Sequence, residues 1–121
     1  MKRLFAAVIL TLVTACASVP PDATPAQKVF AATTTYDAAL SVALAYKRLP
    51  ACTVVPKPLL CSDAAVVATI QKADTVAFEA LSTAQKVVRA PATESALQTA
   101  VRWSTEAVGA FSRLTATLAT K

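Results

Sequence analysis

The 121-residue sequence contains no histidine and a single glycine, and these two shortages exclude several kinds of site. Without histidine there is no imidazole to act as a general base near neutral pH and no His-ligated metal site. One glycine is too few for a glycine-rich phosphate-binding loop. Charged residues make up only 16% of the chain and hydrophobic residues 55%, which argues against intrinsic disorder. The length fits one small domain.

The first fifteen residues have the composition of an export signal. A cationic start, Met1-Lys2-Arg3, is followed by twelve uncharged residues at positions 4–15. Crossing the core of a bilayer takes about 20 residues in a helix, so this run is too short to span it, but it suits the apolar region of a secretory signal. We therefore assign residues 1–15 to a signal peptide that is removed. The alternatives are an ordinary secretory signal with a chance cysteine and an uncut N-terminal anchor.

The signal ends at Val13-Thr14-Ala15-Cys16, which resembles the lipobox of bacterial lipoproteins. The resemblance implies that Cys16 carries a diacyl group on its sulfur, becomes the mature N-terminus and binds membrane lipid through its acyl chains. One acyl chain holds a protein only marginally, so two or three are needed for stable anchoring. Ala17 in place of the aspartate that retains enteric lipoproteins implies sorting to the outer membrane. The resemblance ends at Cys16 and names no family for the rest of the chain.

Two further cysteines fit an exported protein. Cys52 and Cys61 enclose eight residues that include Pro56 and Pro58, and these prolines forbid a continuous helix. An oxidising compartment would join the pair as a disulfide. The alternative is two buried free thiols. Two cysteines without histidine are a poor metal site, so we predict no metal.

Proline positions divide the remaining chain into a spacer and three helices. Residues 16–24 form the lipidated N-terminus and a spacer, in which Pro20-Pro21 favours extended backbone. Residues 25–121 form the domain. Helices are predicted at about 25–49, 63–90 and 92–120, with N-caps at Thr24, at Ser62 or Asp63, and at Thr93. The fold class is therefore all-α, a small up-down-up three-helix bundle with a disulfide-closed loop between helices 1 and 2.

Each predicted helix carries an apolar stripe at three- and four-residue spacing. The stripes comprise Val29, Ala32, Tyr36, Ala39, Leu40, Ala43 and Leu44 in helix 1; Val66, Ile70, Ala73, Ala77, Ala80, Leu81, Ala84 and Val88 in helix 2; and Leu97, Ala100 or Val101, Ser104, Val108, Phe111, Leu114 or Thr115, and Leu118 in helix 3. At Pro91 the alternative to a turn is one kinked helix, which would leave two stripes uncovered unless the protein oligomerised. Gly109 is expected to let another helix approach closely, and Trp103 lies off the stripe.

The sequence does not assemble catalytic groups. The seven carboxylates are spread along the chain, and Asp74 and Glu79, five residues apart, do not share a helix face. Tyr36 and Tyr46 are expected at the core or its rim, and the serines and threonines lack a partner base. We therefore predict no enzyme, no catalytic residue and no cofactor. Removing Lys2 and Arg3 leaves ten scattered cations against seven acids, a pattern that predicts no nucleic-acid partner.

These features predict a non-enzymatic lipoprotein of the bacterial cell envelope. It would face the periplasm, held to the membrane through Cys16, and present its bundle to an envelope protein or to peptidoglycan; the oligomeric state stays open. The alternative is a phage or prophage lipoprotein that acts in host lysis or exclusion. Outer-membrane spanin subunits are of this kind, but they are Pro-rich and poor in helix, and this chain departs from that pattern after Pro25.

Overall fold

The computed structural model describes residues 19–56 and 58–118, and within them the chain forms three α-helices and no β-strand. The helices are α1 (Pro25–Lys47), α2 (Ala64–Arg89) and α3 (Glu94–Ala116). They form the predicted up-down-up bundle, about 39 Å long if measured along α2. The assigned signal peptide (1–15) and Cys16 lie outside the described residues.

The helices end earlier than predicted wherever a proline follows. Ala90 has an extended backbone, φ −104° and ψ 158°, because a residue before proline is excluded from the helical region; α2 therefore stops at Arg89. α1 ends at Lys47 rather than at residue 49, with Arg48 as its C-cap two residues before Pro50. The turn at Pro91 is real, and the kinked-helix alternative is wrong.

The predicted limits of the third helix were too wide at both ends. Thr93 is the N-cap, so α3 begins at Glu94 and not at residue 92. At the other end α3 stops at Ala116, well before residue 120. Thr117 is the C-cap, and its hydroxyl donates to the carbonyl of Leu114 at 2.7 Å. Residues 119–121 lie outside the described ranges.

All three helices begin at a side-chain cap. Thr24 makes a full capping box: its hydroxyl oxygen accepts from the Gln27 amide at 3.3 Å, and the Gln27 side chain accepts from the Thr24 amide at 2.8 Å. Asp63, not Ser62, caps α2 by accepting from two amides of the first turn. Thr93 caps α3 in the same way. Caps of this kind contribute about 1 kcal/mol each.

The spacer differs from its predicted extended form. The Ala23 amide donates to the Pro20 carbonyl at 3.0 Å, so residues 20–23 make a turn. Pro21 occupies the second position of that turn, which suits its fixed φ. As a result Val19 and the two prolines line an open groove of about 390 Å³ between α1 and α3.

Every buried residue belongs to a predicted stripe, and alanine is the most frequent of them. The stripe residues Leu40, Val66, Ala73, Val88 and Leu118 are partly buried and pack against this core, whereas Leu97 belongs to neither core cluster. The fully or nearly buried residues are Val29, Ala32, Tyr36, Ala39 and Ala43 of α1; Ile70, Ala77, Ala80, Leu81 and Ala84 of α2; and Ala100, Ser104, Val108, Phe111 and Thr115 of α3. In α3 the structure therefore selects Ala100 over Val101 and Thr115 over Leu114. Leu44 is 44% exposed and does not belong to the core, because Ala43 takes the inward position of that turn.

The third helix is central to the packing. It makes larger interfaces with α1 and with α2 than those two make with each other. Phe111 is the largest fully buried side chain, and its ring centroid lies 5.6 Å from that of Tyr36. The buried hydroxyls of Ser104 and Thr115 donate to carbonyls of their own helix at 3.0 Å. These two polar groups therefore enter the core without losing their hydrogen bonds.

Gly109 does not mark a close helix approach. A Cβ added there would meet only the guanidinium Nη1 of Arg113, at 3.4 Å, and no backbone of another helix. The expectation that its small size admits a neighbouring helix is therefore wrong. The residue borders the groove between α1 and α3, where there is room for a side chain.

Candidate functional site

The predicted disulfide is present and closes the loop between α1 and α2. Cys52 and Cys61 are bonded with their Cα atoms 4.9 Å apart, inside the range that an unstrained bridge allows. The other predicted site residue, Cys16, lies outside the described residues. The structure therefore locates one of the two covalent features predicted from sequence and does not address the other.

Backbone hydrogen bonds fix the base of the disulfide ring. The Cys52 amide donates to the Ser62 carbonyl at 3.1 Å, and the Ser62 amide donates to the Pro50 carbonyl at 2.8 Å. The Ser62 hydroxyl donates to the Leu49 carbonyl at 3.0 Å. Tyr46, predicted at the core or rim, accepts from the Asp63 amide at 3.0 Å through its phenol oxygen. The ring is thus attached to the ends of both helices.

Inside this ring the large aliphatic side chains point into solvent. Val54 is 49% exposed, Val55 91%, Leu59 100% and Leu60 58%. We call these four residues the loop tip. Loops are usually polar, and isolated exposed aliphatics are common, but four in one ten-residue ring form an apolar patch. Sequence reasoning missed it, although the Val-Val and Leu-Leu pairs beside two prolines were a visible signal.

Two cations lie beside the base of the ring that carries the loop tip. Lys47 is the last residue of α1 and Arg48 its C-cap, and both are exposed. The guanidinium of Arg113 on α3 is turned away from this end, toward Gly109. The carboxylate of Asp63 also lies at the base of the ring, where it accepts from the first amides of α2. This end of the bundle is therefore apolar at its tip and positively charged beside it.

A second polar feature joins the middles of α1 and α2. The phenol of Tyr36 donates to Oδ1 of Asp74 at 2.7 Å, and the tyrosine is only 8% exposed. Burial, followed by the hydrogen bond and charge of Asp74 and the charge of Asp37, raises the pKa of Tyr36 well above its usual value. The phenol is therefore protonated throughout the physiological range. It serves as a donor and is a poor base or nucleophile.

Sequence reasoning did not pair Tyr36 with Asp74, because it treated Asp74 as one of seven carboxylates spread along the chain. A signal existed: both residues lie near the midpoints of consecutive antiparallel helices. The arrangement supports a structural role, since the aspartate accepts a bond from a side chain in the core. In the ranges that the structure describes, no cluster of three or more His, Cys, Asp or Glu residues could hold a metal ion.

No protein-family model, curated protein or solved structure matches the chain. Among the described helices, none combines the length and the apolar character needed to cross a membrane. Within the same ranges every buried side-chain nitrogen or oxygen has a hydrogen-bond partner. The interior therefore holds no unpartnered polar atom directed at a ligand, and the functional interpretation depends on the loop end and on the sequence before Val19.

Proposed function

We propose that the protein is a non-enzymatic lipoprotein of the bacterial envelope, anchored through Cys16 and facing the periplasm. The observation that carries the proposal is Val13-Thr14-Ala15-Cys16 directly after an uncharged apolar run. The Cys52–Cys61 disulfide supports it, because such bridges persist in oxidising compartments and are rare in the cytosol. In this proposal the membrane is the outer membrane, as Ala17 implies.

The folded part serves as a structural or protein-interaction module. Two features support this role over an enzymatic one. The only buried ionisable side chain described, Tyr36, is held protonated by its burial and by Asp74. The core is filled largely by alanine, which brings the helices close together and leaves little interior volume for a substrate. The partner would be an envelope protein or peptidoglycan, met at the surface of the bundle.

Replacement of Cys16 tests the anchor. In an expressing bacterium, Cys16→Ser should accumulate as uncut precursor, fifteen residues longer than the mature chain, and should carry no acyl mass. The parent should show a mature mass that begins at Cys16 plus its acyl groups, and should fractionate with membranes. Ser18→Ala, two residues beyond the motif, is the matched control and should behave as the parent. A parent protein of mature mass without lipid would refute the proposal.

A further inference from the structure

We propose that the loop tip, Val54, Val55, Leu59 and Leu60, together with the two cations beside its ring, is a docking surface for an anionic phospholipid bilayer. The inference does not depend on acylation of Cys16, because all its residues lie within or beside the disulfide ring. It assigns the protein a second membrane contact, made by the folded domain itself.

Folding does not bury the large aliphatic side chains of the loop tip. Leu59 is 100% exposed and Val55 91%, so neither contributes to the core. The disulfide and the hydrogen bonds between Ser62, Pro50 and Cys52 fix the base of the ring, so both side chains are presented at one end of the bundle. Closing the ring limits the conformations open to the loop before it binds, which reduces the conformational entropy that binding costs. Transfer of this exposed apolar surface from water into another apolar phase is favourable.

The positive charges beside the ring indicate that the apolar phase is an anionic membrane. Lys47 and Arg48, both exposed, lie at the base of the ring where α1 ends. Apolar residues that enter the headgroup region and cations that stay at its surface are the arrangement by which proteins bind anionic membranes. The long stems of lysine and arginine reach the phosphates while their aliphatic part follows the apolar side chains.

The composition of the tip favours lipid over a protein partner. Protein–protein hot spots are enriched in tryptophan, tyrosine and arginine, and leucine and valine are under-represented among them. The ten-residue ring contains no aromatic residue and no arginine. Because the loop backbone is irregular, it cannot enter the hydrocarbon core, where its polar groups would be unsatisfied. Insertion is therefore shallow, to a depth of about 5–10 Å at the boundary of headgroups and acyl chains.

The test uses a secreted chain that begins at Ala17 and therefore carries no acyl group. Every buried residue of the described ranges lies between Val29 and Thr115, so this chain keeps the whole core. Its co-sedimentation is measured with vesicles of phosphatidylglycerol and phosphatidylcholine in equal amounts, and with vesicles of phosphatidylcholine alone. We expect binding to the anionic vesicles, weaker binding to the neutral ones, and a loss of binding at high salt.

Two sets of variants locate the contact. Leu59→Asp should weaken binding at least about tenfold, because it places a charge at the deepest point of insertion. Because Leu59 is fully exposed, the melting temperature of the Leu59→Asp variant should equal that of the parent. Val76→Asp is the matched control: Val76 is 51% exposed on α2, away from the ring, and the variant should bind as the parent does. Lys47→Gln with Arg48→Gln should weaken binding to anionic vesicles about 30-fold.

Three results would overturn the proposal. The first is a folded parent that does not bind anionic vesicles. The second is binding that Leu59→Asp leaves unchanged. The third is self-association of the parent in sedimentation velocity that Leu59→Asp abolishes, with no vesicle binding, which would make the tip an interface between copies of the chain. Failure of the Cys16 experiment leaves these outcomes unaffected, since the chain tested lacks Cys16.

Discussion

The hydrogen bond between Tyr36 and Asp74 gives the sharpest stability prediction. It joins α1 to α2 across the smallest of the three helix interfaces, at 2.7 Å, with its donor almost entirely buried. Tyr36→Phe removes the hydroxyl and keeps the ring, so the packing of Tyr36 against Phe111 should persist. The change in the free energy of unfolding then has two sources only: loss of the hydrogen bond and the altered environment of the Asp74 carboxylate.

The expected cost follows from the geometry. A hydrogen bond to a charged group contributes about 1.5–3 kcal/mol to the free energy of unfolding. Asp74 is only partly buried, so water can hydrate its carboxylate once the phenol is gone. The lower end applies, and we expect Tyr36→Phe to cost about 1.5 kcal/mol. For a domain of this size that lowers the melting temperature by about 6–12 °C. Urea denaturation followed by circular dichroism measures the free energy of unfolding, and a thermal scan measures the melting temperature.

The pH dependence distinguishes the hydrogen bond from packing. Folding raises the pKa of Tyr36 above its ordinary value of 10.0. The contribution to stability is therefore fully present below pH 10 and is lost as the pH rises beyond it, because the unfolded phenol then ionises while the folded one does not. The difference between the parent and Tyr36→Phe should shrink above pH 10.

Asp37→Asn is the matched control for this prediction. Asp37 neighbours Tyr36 on α1 but is exposed, so its change should stay within about 0.5 kcal/mol. A double-mutant cycle between Tyr36→Phe and Asp74→Ala should give a coupling of about 1 kcal/mol. A Tyr36→Phe variant as stable as the parent, or a cycle without coupling, would refute the reasoning that this bond holds α1 against α2.

Two other substitutions test the packing. Ile70→Asp and Phe111→Asp place an unpartnered charge at positions that are 6% and 0% exposed, so each should lower the free energy of unfolding by several kcal/mol. Helical circular dichroism should then be lost cooperatively at a much lower temperature than in the parent. Glu79→Gln is the control, because Glu79 is exposed and its replacement should change the melting temperature little. Core variants as stable as the parent would contradict the stripe assignment. Gly109→Ala should raise the free energy of unfolding in urea denaturation by about 0.5–1 kcal/mol, because alanine favours the helix and the added Cβ meets only the Arg113 guanidinium. A Gly109→Ala variant less stable than the parent would show a steric constraint that the structure does not contain.

The interior of the bundle could be predicted because it follows from helix periodicity. Val29 in α1, Ile70 in α2 and Phe111 in α3 each belong to a series of residues spaced three and four apart, and each series lies on one face of its helix whatever that helix packs against. The alternatives left open at Ala100 or Val101 and at Leu114 or Thr115 differ by one residue, a rotation of about 100° around the axis. Deciding between them requires the position of the neighbouring helices. For that reason only the structure could settle them.

The features missed from sequence depend on relations between distant segments. Tyr36 and Asp74 are 38 residues apart, and their contact depends on the rotation and axial register of α1 against α2. Neither quantity follows from the hydrophobic pattern of a single helix. The turn at residues 20–23 was missed for a different reason: Pro20-Pro21 is compatible with both an extended segment and a turn, and the pattern alone does not choose.

The apolar side chains of the loop tip are not placed where stability alone would favour them. Ala77, Ala80 and Ala84 fill the centre of α2, while Val55 and Leu59 stand in solvent. Burying a leucine or valine contributes about 1.5–3 kcal/mol, and an exposed one contributes none of this. The ring also needs no aliphatic residues to form, because the disulfide and the bonds of Ser62 hold its base. Folding therefore does not explain the composition of the loop tip, whereas contact with an apolar phase would restore the free energy that exposure leaves unused.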